Sequence, residues 1–314
     1  MPSSIASQIL CVDIGGTSTK AAVFSSRNQI EFLEAIPTKP DTESYFAALT
    51  GLLARTVQTA SAELKQQVTQ LGVAIAGFLD SERSHLVYNS NLAWLERFPL
   101  RERLRDAFPE LKIEFEVDSN AATLAEFKFG SGKGSHRFLC VTCGTGLGVG
   151  MAIDGVPVRF AYGCLGDIGH IVVQRDGPIC TCGGRGCAEI LVSAPALAQE
   201  YRTLSGARSH STLRDVIEAA QAGDRLAISV LERAGGWLGV AIASMANTFF
   251  PDHIAIAGGL SAGGEFVLNP AERVFRETAS VLARSKATFT RATLGSEATL
   301  IGAAWPFLGK EEIS

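Results

Sequence analysis

The chain has no block of lysine and arginine, and its formal net charge is -4 over 314 residues. A nucleic acid is therefore not expected as a main partner. Charge of either sign is scarce, at 19% of residues against 46% hydrophobic, which is the balance of a folded globular protein and not of a disordered one. The opening Met-Pro-Ser-Ser-Ile-Ala-Ser-Gln lacks the basic start and long apolar stretch of a secretory signal. No long apolar run goes uninterrupted. The most apolar region, Gly236 to Leu260, is broken by Asn247, Pro251, Asp252 and His253. It reads as a buried helix followed by a strand, and no membrane partner is expected. Low-complexity segments and long linkers are also missing. The seven cysteines are an odd number, which fits the cytoplasm better than an oxidising compartment. The length is generous for one core and suits two lobes.

What is present is most specific between Cys180 and Glu189, Cys-Thr-Cys-Gly-Gly-Arg-Gly-Cys-Ala-Glu. Cys180, Cys182 and Cys187, with His170 upstream, supply three thiolates and one imidazole, a full tetrahedral set for structural zinc. With four protein ligands no position is left for an activated water, so the metal is expected to hold shape and do no chemistry. Three buried cysteines, or a disulfide leaving one odd thiol, is the disfavoured alternative. Glu189, just past the last thiolate, is placed either to orient a polyhydroxy ligand or as an ordinary first-turn helix acid.

Along the chain, an apolar strand from Ile9 to Val12 runs into Asp13-Ile-Gly-Gly-Thr17 and a second strand, Lys20 to Phe24. That is strand, glycine turn, strand, unlike the strand, turn, helix of a dinucleotide site. Helical periodicity covers Ser44 to Gln70, followed by a strand at Leu71 to Ala76 that Gly77 ends. A helix is expected at Leu100 to Phe108, a strand at Ile113 to Val117 and a helix at Asn120 to Phe127. The strand-turn-strand pattern then recurs, with strands at Phe138 to Thr142 and Gly148 to Ile153. Helices to about Asn247, the strand His253 to Ala257, a helix at Arg273 to Arg284, a strand near Thr293 and a helix at Thr299 to Phe307 complete the chain. Two half-chains that open alike imply a duplicated α/β lobe with a cleft between the copies.

The segment Asp13, Gly15, Gly16, Thr17, Thr19, Lys20 is a candidate phosphate loop. Glycines expose backbone N–H groups, hydroxyls add donors, and the carboxylate can hold a water on Mg²⁺. The second loop, Gly144, Thr145, Gly146, has the same character without the acid. Gly258-Gly259 after a strand either accepts the flat face of an adenine or simply turns a corner. Asp118, at a strand end, reads equally as a helix N-cap or as a general base taking a proton from an attacking hydroxyl.

Taken together, these motifs resemble the ROK family (repressors, open reading frames and sugar kinases) of the actin-like ATPase and hexokinase clan. The resemblance rests on Asp-Ile-Gly-Gly-Thr-x-x-Lys at 13 to 20, Asn-Leu-x-Trp at 91 to 94, Asp-x-Asn-Ala-Ala at 118 to 122, Gly-Thr-Gly-x-Gly at 144 to 148, Gly-His at 169 to 170 and the cysteine motif at 180 to 189. It implies a two-lobed actin-like ATPase (ribonuclease H-like) α/β fold with an interlobe cleft. The lobes would be 1–117, completed by a C-terminal helix at about 297–314, and 118–296 with the zinc-binding insertion. It further implies ATP-dependent phosphorylation of a hexose, usually at position 6, with ATP, Mg²⁺ and structural Zn²⁺, in a homodimer or tetramer. By position, Asp118 matches the catalytic base. Asp13, Gly15, Gly16, Thr17 and Gly144 to Gly146 match the phosphate-holding elements, and Gly258 and Gly259 the adenosine side. His170 matches a residue that both ligates zinc and touches sugar, with Gly77, Asn91, Asp167 and Glu189 also on the sugar side.

Two positions depart from the family's glucose kinases, which carry Asn where Val117 stands and Glu where Asp167 stands. Valine cannot hydrogen-bond a sugar hydroxyl, and an unpaired polar group in a buried site costs about 1–3 kcal/mol. A hexose variant is therefore expected as acceptor: an amino, N-acetylated or deoxy sugar, or a cyclitol. A sugar-responsive regulator is the main alternative, but such members carry an added N-terminal helix-turn-helix, for which the early phosphate loop leaves no room. A catalytically silent sugar-binding protein is the other, made conceivable by Val117 but disfavoured by the presence of Asp13, Asp118 and both loops.

Overall fold

In the computed structural model, residues 8–25, 27–65, 67–206 and 211–308 are described. The chain divides into two compact units, Met1–Lys128 with Gly155–Gly166 and Ser296–Ser314, and Phe129–Asp154 with Asp167–Gly295.

In the first unit, β1 (Gln8–Ile14), β2 (Ser18–Phe24) and β3 (Ile30–Pro37) form consecutive antiparallel pairs. Helix α1 (Thr42–Leu64) starts at Asp41, whose side chain accepts from the Ser44 amide, and leads to β4 (Val68–Ile75). A small hairpin, β5 (Phe78–Leu79) with β6 (Leu86–Tyr88), precedes α2 (Leu100–Ala107), β7 (Lys112–Val117) and α3 (Asp118–Phe129). The sheet order is β3-β2-β1-β4-β7, with β4 parallel to both β1 and β7. β1 is buried along almost its whole length, as a central strand covered on both faces must be.

The second sheet repeats this plan. β8 (Arg137–Cys143) pairs antiparallel with β9 (Leu147–Ile153), and the short β10 (Val156–Pro157) follows at the edge. Helices α4 (Ala188–Val192), α5 (Ala194–Ser205), α6 (Leu213–Gln221) and α7 (Arg225–Phe249) lead to β11 (His253–Ala257), α8 (Glu265–Thr278), α9 (Val281–Lys286) and β12 (Thr288–Arg291). The order is β10-β9-β8-β11-β12, with β11 parallel to β8 and β12. In both sheets the first strand is central, pairs antiparallel with the second strand on one side, and is followed by two parallel strands on the other. The duplication expected from the two glycine turns is present as identical topology.

α7 is long and apolar enough to cross a membrane by length and composition. It instead packs on α8 so closely that methyl groups on Gly235 and Gly239 would lie 2.4 and 2.5 Å from carbonyl oxygens of Val267 and Ala271. That is the contact of a core helix, and the strand expected after it is β11.

The first unit also takes in more than 1–117. α3 belongs to it, because α10 (Ala298–Ala303) lies directly against it: a methyl on Gly302 would fall 1.8 Å from the Ala121 carbonyl oxygen. Segment 155–166 joins it as well, through a hydrogen bond from Asn120 to the Gly163 carbonyl. Periodicity also missed β3, and it merged α8 and α9, which break at Ala279 and Ser280. The last strand is at Thr288–Arg291 and not at 293. Residues beyond 308 of the expected C-terminal helix lie outside the described residues.

Candidate active site and metal cluster

In the first unit the β1–β2 turn consists of Gly15, Gly16 and Thr17, closed by a hydrogen bond from the Gly15 amide to the Ser18 carbonyl at 3.1 Å. Thr17 is exposed and both glycines are half-buried, so backbone N–H groups and a hydroxyl are open for an anion. Asn91 packs on this turn; a methyl on Gly16 would meet its Cβ at 2.8 Å. Asp13 and Lys20 face each other in the β1–β2 register. Burial pushes the Asp13 carboxyl up to about 6, the Lys20 ammonium opposing the shift. Gly77, φ +112, ends β4, where a methyl would lie 2.6 Å from the Tyr88 carbonyl oxygen.

Asp118 is the first residue of α3, directly after β7. Its Oδ1 accepts from the Ser119 amide at 2.7 Å. Burial and then repulsion from Asp13 push its carboxyl up to about 7, against the Ser119 hydrogen bond. Burial thus raises both carboxyls, and each adds like charge to the other's surroundings. Asp118 is not a conventional N-cap, whose carboxylate would reach an amide two or three residues on.

Thr19 does not join the phosphate-holding set. Its side chain is fully buried and its hydroxyl lies 2.7 Å from the Tyr45 hydroxyl and 2.9 Å from that of Thr38. Alternation along β2 turns it inward, so it ties β2 to α1 and faces the core, away from the turn's exposed backbone.

In the second unit, the β8–β9 turn is Gly144, Thr145 and Gly146, with the Gly144 amide donating to the Gly146 carbonyl at 2.9 Å. Glu189 anchors this turn: its Oε2 accepts from the Leu147 amide at 2.9 Å, and a methyl on Gly146 would sit 2.5 Å from it. Gly258, φ +80, abuts the same turn, since a methyl there would lie 2.3 Å from the Cys143 carbonyl oxygen. The adjacent Gly259 leaves more room, the Leu213 side chain being 3.8 Å from a methyl placed on it. Thr142 Oγ1 is buried with no hydrogen-bond partner.

His170, Cys180, Cys182 and Cys187 bring one ligand atom each within 4.8 Å of all the others. The Cys182 and Cys187 sulfurs are 3.7 Å apart, too far for a disulfide, and Cys180 Sγ is 3.6 Å from His170 Nδ1. Zinc–sulfur bonds of about 2.3 Å at tetrahedral angles place two sulfurs roughly 3.8 Å apart, so the donor set fits that ion. His170 Nδ1 faces the cysteines and Nε2 faces Asp167 Oδ1 at 3.7 Å. Asp167 and Cys182 are exposed, and Cys180 and Cys187 are buried.

The ROK family model matches residues 9–310. The chain belongs to the ROK family. Among its relatives, a glucokinase of Halalkalibacterium halodurans is 32% identical over 310 residues, covering 94% of this chain and 93% of that one. A kanosamine kinase of Amycolatopsis mediterranei is 28% identical over 255 residues, 81% of each chain. Among solved structures, a ROK family glucokinase from Streptomyces griseus in complex with glucose and AMPPNP superposes with a TM-score of 0.84 at 30% identity, covering 95% of this chain and 98% of that one.

Around the aspartate of this ROK chain, sequence reasoning missed four side chains. Buried Glu116 and Asn120, with the partly exposed Arg83 and Arg159, form a polar network behind Val117. An acid between Phe115 and Val117 at the end of an apolar strand was the available signal, but its partners lie far along the chain.

Proposed function

We propose that this chain is an ATP-dependent sugar kinase that transfers a phosphoryl group to a hydroxyl of a hexose-like acceptor, at position 6, with Asp118 as general base. The observation that carries this reading is the Asp118 carboxylate at the β7–α3 junction, raised toward neutrality by burial and by Asp13. It is supported by the likeness to glucokinases over nearly the full length.

Phosphoryl transfer needs positioning and charge neutralisation more than covalent help. Asp118 accepts the acceptor hydroxyl's proton as the oxygen attacks. The Gly16 and Thr17 amides with the Thr17 hydroxyl, and the Thr145 and Gly146 amides with the Thr145 hydroxyl, hold phosphate oxygens, while the Gly15 and Gly144 amides close the two turns, and Lys20 adds positive charge. Gly258 and Gly259 take the adenosine side. Asp13 is the first-unit carboxylate suited to hold a water on Mg²⁺, which when bound neutralises the phosphate charge. His170, Cys180, Cys182 and Cys187 would hold structural zinc, which when bound would brace the loop that leads into α4. Glu189, in the first turn of α4, keeps the second glycine turn in shape through the Leu147 amide. By the family resemblance, Asn91 and Gly77 of the first unit, and Asp167 and His170 Nε2 of the second, match sugar-facing positions.

The acceptor is not plain glucose. Val117 is buried against the first unit's core and its side chain offers only carbon next to Asp118, and Asp167 is one carbon shorter than the glutamate of the family's glucose kinases. An amino, N-acetylated or deoxy hexose, or a cyclitol, suits an aliphatic surface at this position. A coupled ADP-release assay over a panel of these sugars with glucose tests both points. No ATP-dependent phosphorylation of any sugar rejects the kinase reading, and glucose giving the highest kcat/KM by a wide margin rejects the acceptor assignment.

A further inference from the structure

Glu116 is a carboxylate with 1% of its side chain exposed, one residue before Val117 and two before Asp118. Its Oε1 accepts from the Val117 amide at 3.0 Å and from Asn120 Nδ2 at 2.8 Å. Arg159 approaches with both Nη2 and Nε, and Arg83 Nη1 lies 3.6 Å from Oε2. Two guanidinium groups therefore serve one buried carboxylate.

The other end of this network is a strained stretch of chain. Tyr162 has φ 61 and Gly163 φ 74, consecutive left-handed residues, and a bulky side chain in that region persists only where its surroundings force it. Arg159, three residues before Tyr162, is held by Glu116, while the Gly163 carbonyl accepts from Asn120 Nδ2 at 2.7 Å. A methyl on Gly163 would stand 3.6 Å from Val117 Cγ2. Segment 159–163 is thus fastened at both ends to residues flanking the Val117–Asp118 peptide.

Stability alone is a poor reason for this arrangement. An ion pair whose carboxylate is buried and whose guanidinium is 32% exposed adds little net stability, because desolvation of one end and screening of the other offset the attraction. Here Asn120 Oδ1 is also left buried without a partner, a cost that packing for stability would remove. What the charges provide is direction, because the planar guanidinium fork fixes angles that a hydrophobic contact would not.

We propose that Glu116, paired with Arg159, is a positioning residue: it clamps segment 159–163 against Val117 and so fixes the backbone that aims Asp118 at the acceptor hydroxyl. This rests on Asp118 acting as the base. The clamp acts on chemistry and not on ligand affinity, so its loss shows in kcat with KM unchanged.

The test measures Glu116→Gln, Arg159→Ala and Arg159→Lys beside the wild type in the ADP-release assay, with thermal melting of each. A misaimed base is expected to lower kcat roughly 10- to 100-fold with KM for ATP and sugar within about twofold. Arg159→Lys, which keeps charge but not the fork, is expected to stay low, and added guanidinium to restore Arg159→Ala in part. Folded variants with wild-type kcat, or an effect confined to KM, would overturn the proposal and leave the kinase reading standing. Variants that all fail to fold would make the pair a structural element and overturn it too. A wild type that phosphorylates no sugar overturns both.

Discussion

Gly15-Gly16-Thr17 and Gly144-Thr145-Gly146 each join two antiparallel strands through three residues at the centre of a five-stranded sheet, yet they are held in different ways. The first carries its charge within the hairpin, Asp13 opposite Lys20, and rests on the neutral Asn91. The second has Thr142 opposite Gly148 at the same register and borrows its charge from outside, through Glu189 beyond the cysteine cluster. The same backbone device thus has a self-contained form that places a carboxylate beside Asp118 and a form whose shape is supplied by Glu189, just past the cysteine–histidine cluster. In a kinase, the first is suited to govern proton and cation chemistry, and the second to keep a pocket for phosphate in one conformation.

The comparison is broken most directly by Asp118→Asn. Loss of a general base should lower kcat by about 10²–10⁴-fold while sugar affinity, read by calorimetry, changes little. Near-normal turnover would remove the charge role assigned to the first unit. Stripping metal with a chelator, or Cys182→Ser, should instead act on the second unit. The expected outcome is a marked fall in melting temperature together with lost activity, since metal affinity adds to folding stability in such clusters. Elemental analysis finding no zinc in purified protein would end that half of the contrast.

Asp13→Asn sharpens the first half. Asp118 must be deprotonated to act, so kcat should rise with pH through about 7 in the wild type. Removing the like charge of Asp13 lowers the Asp118 pKa, and the acid limb of the profile should move to lower pH even as activity falls. The same raised pKa makes the folded state bind protons that the unfolded chain releases. Stability from this group should therefore decline as pH rises from about 4 toward 7, and Asp118→Asn should flatten that slope in pH-dependent melts.

Gly146→Ala crowds the Glu189 carboxylate and should cost about 1–3 kcal/mol as Glu189 shifts. The smallest effect is expected from Thr19→Ser, which keeps the hydroxyl bridge to Tyr45 and Thr38; KM for ATP should not move. A large rise in KM would return Thr19 to the phosphate site.

Local signals served the sequence reading well where the chemistry is local. The three clustered cysteines fall within eight residues, and the glycine turns sit between short apolar runs, so both were legible from spacing. Asp118 was visible as an acid at a strand end, but its neighbours were not: only the fold brings Asp13 close enough to raise its pKa. Thr19 was misread because a hydroxyl in a glycine-rich motif looks like a donor until strand alternation is known to turn it toward Tyr45. The break after 117 moved for a similar reason, since what holds α3 to the first unit is a glycine nearly two hundred residues later.

The sequence by itself determined the repeated strand-turn-strand plan and the spacing of the three clustered cysteines, because backbone conformation at glycine and spacing within a short loop are properties of adjacent residues. Tertiary structure alone decided which carboxylates share an environment, which hydroxyls are spent on the core, and that Glu116 meets Arg159 behind Asp118. Those outcomes depend on burial and on distances between remote segments, and neither exists until the chain has packed.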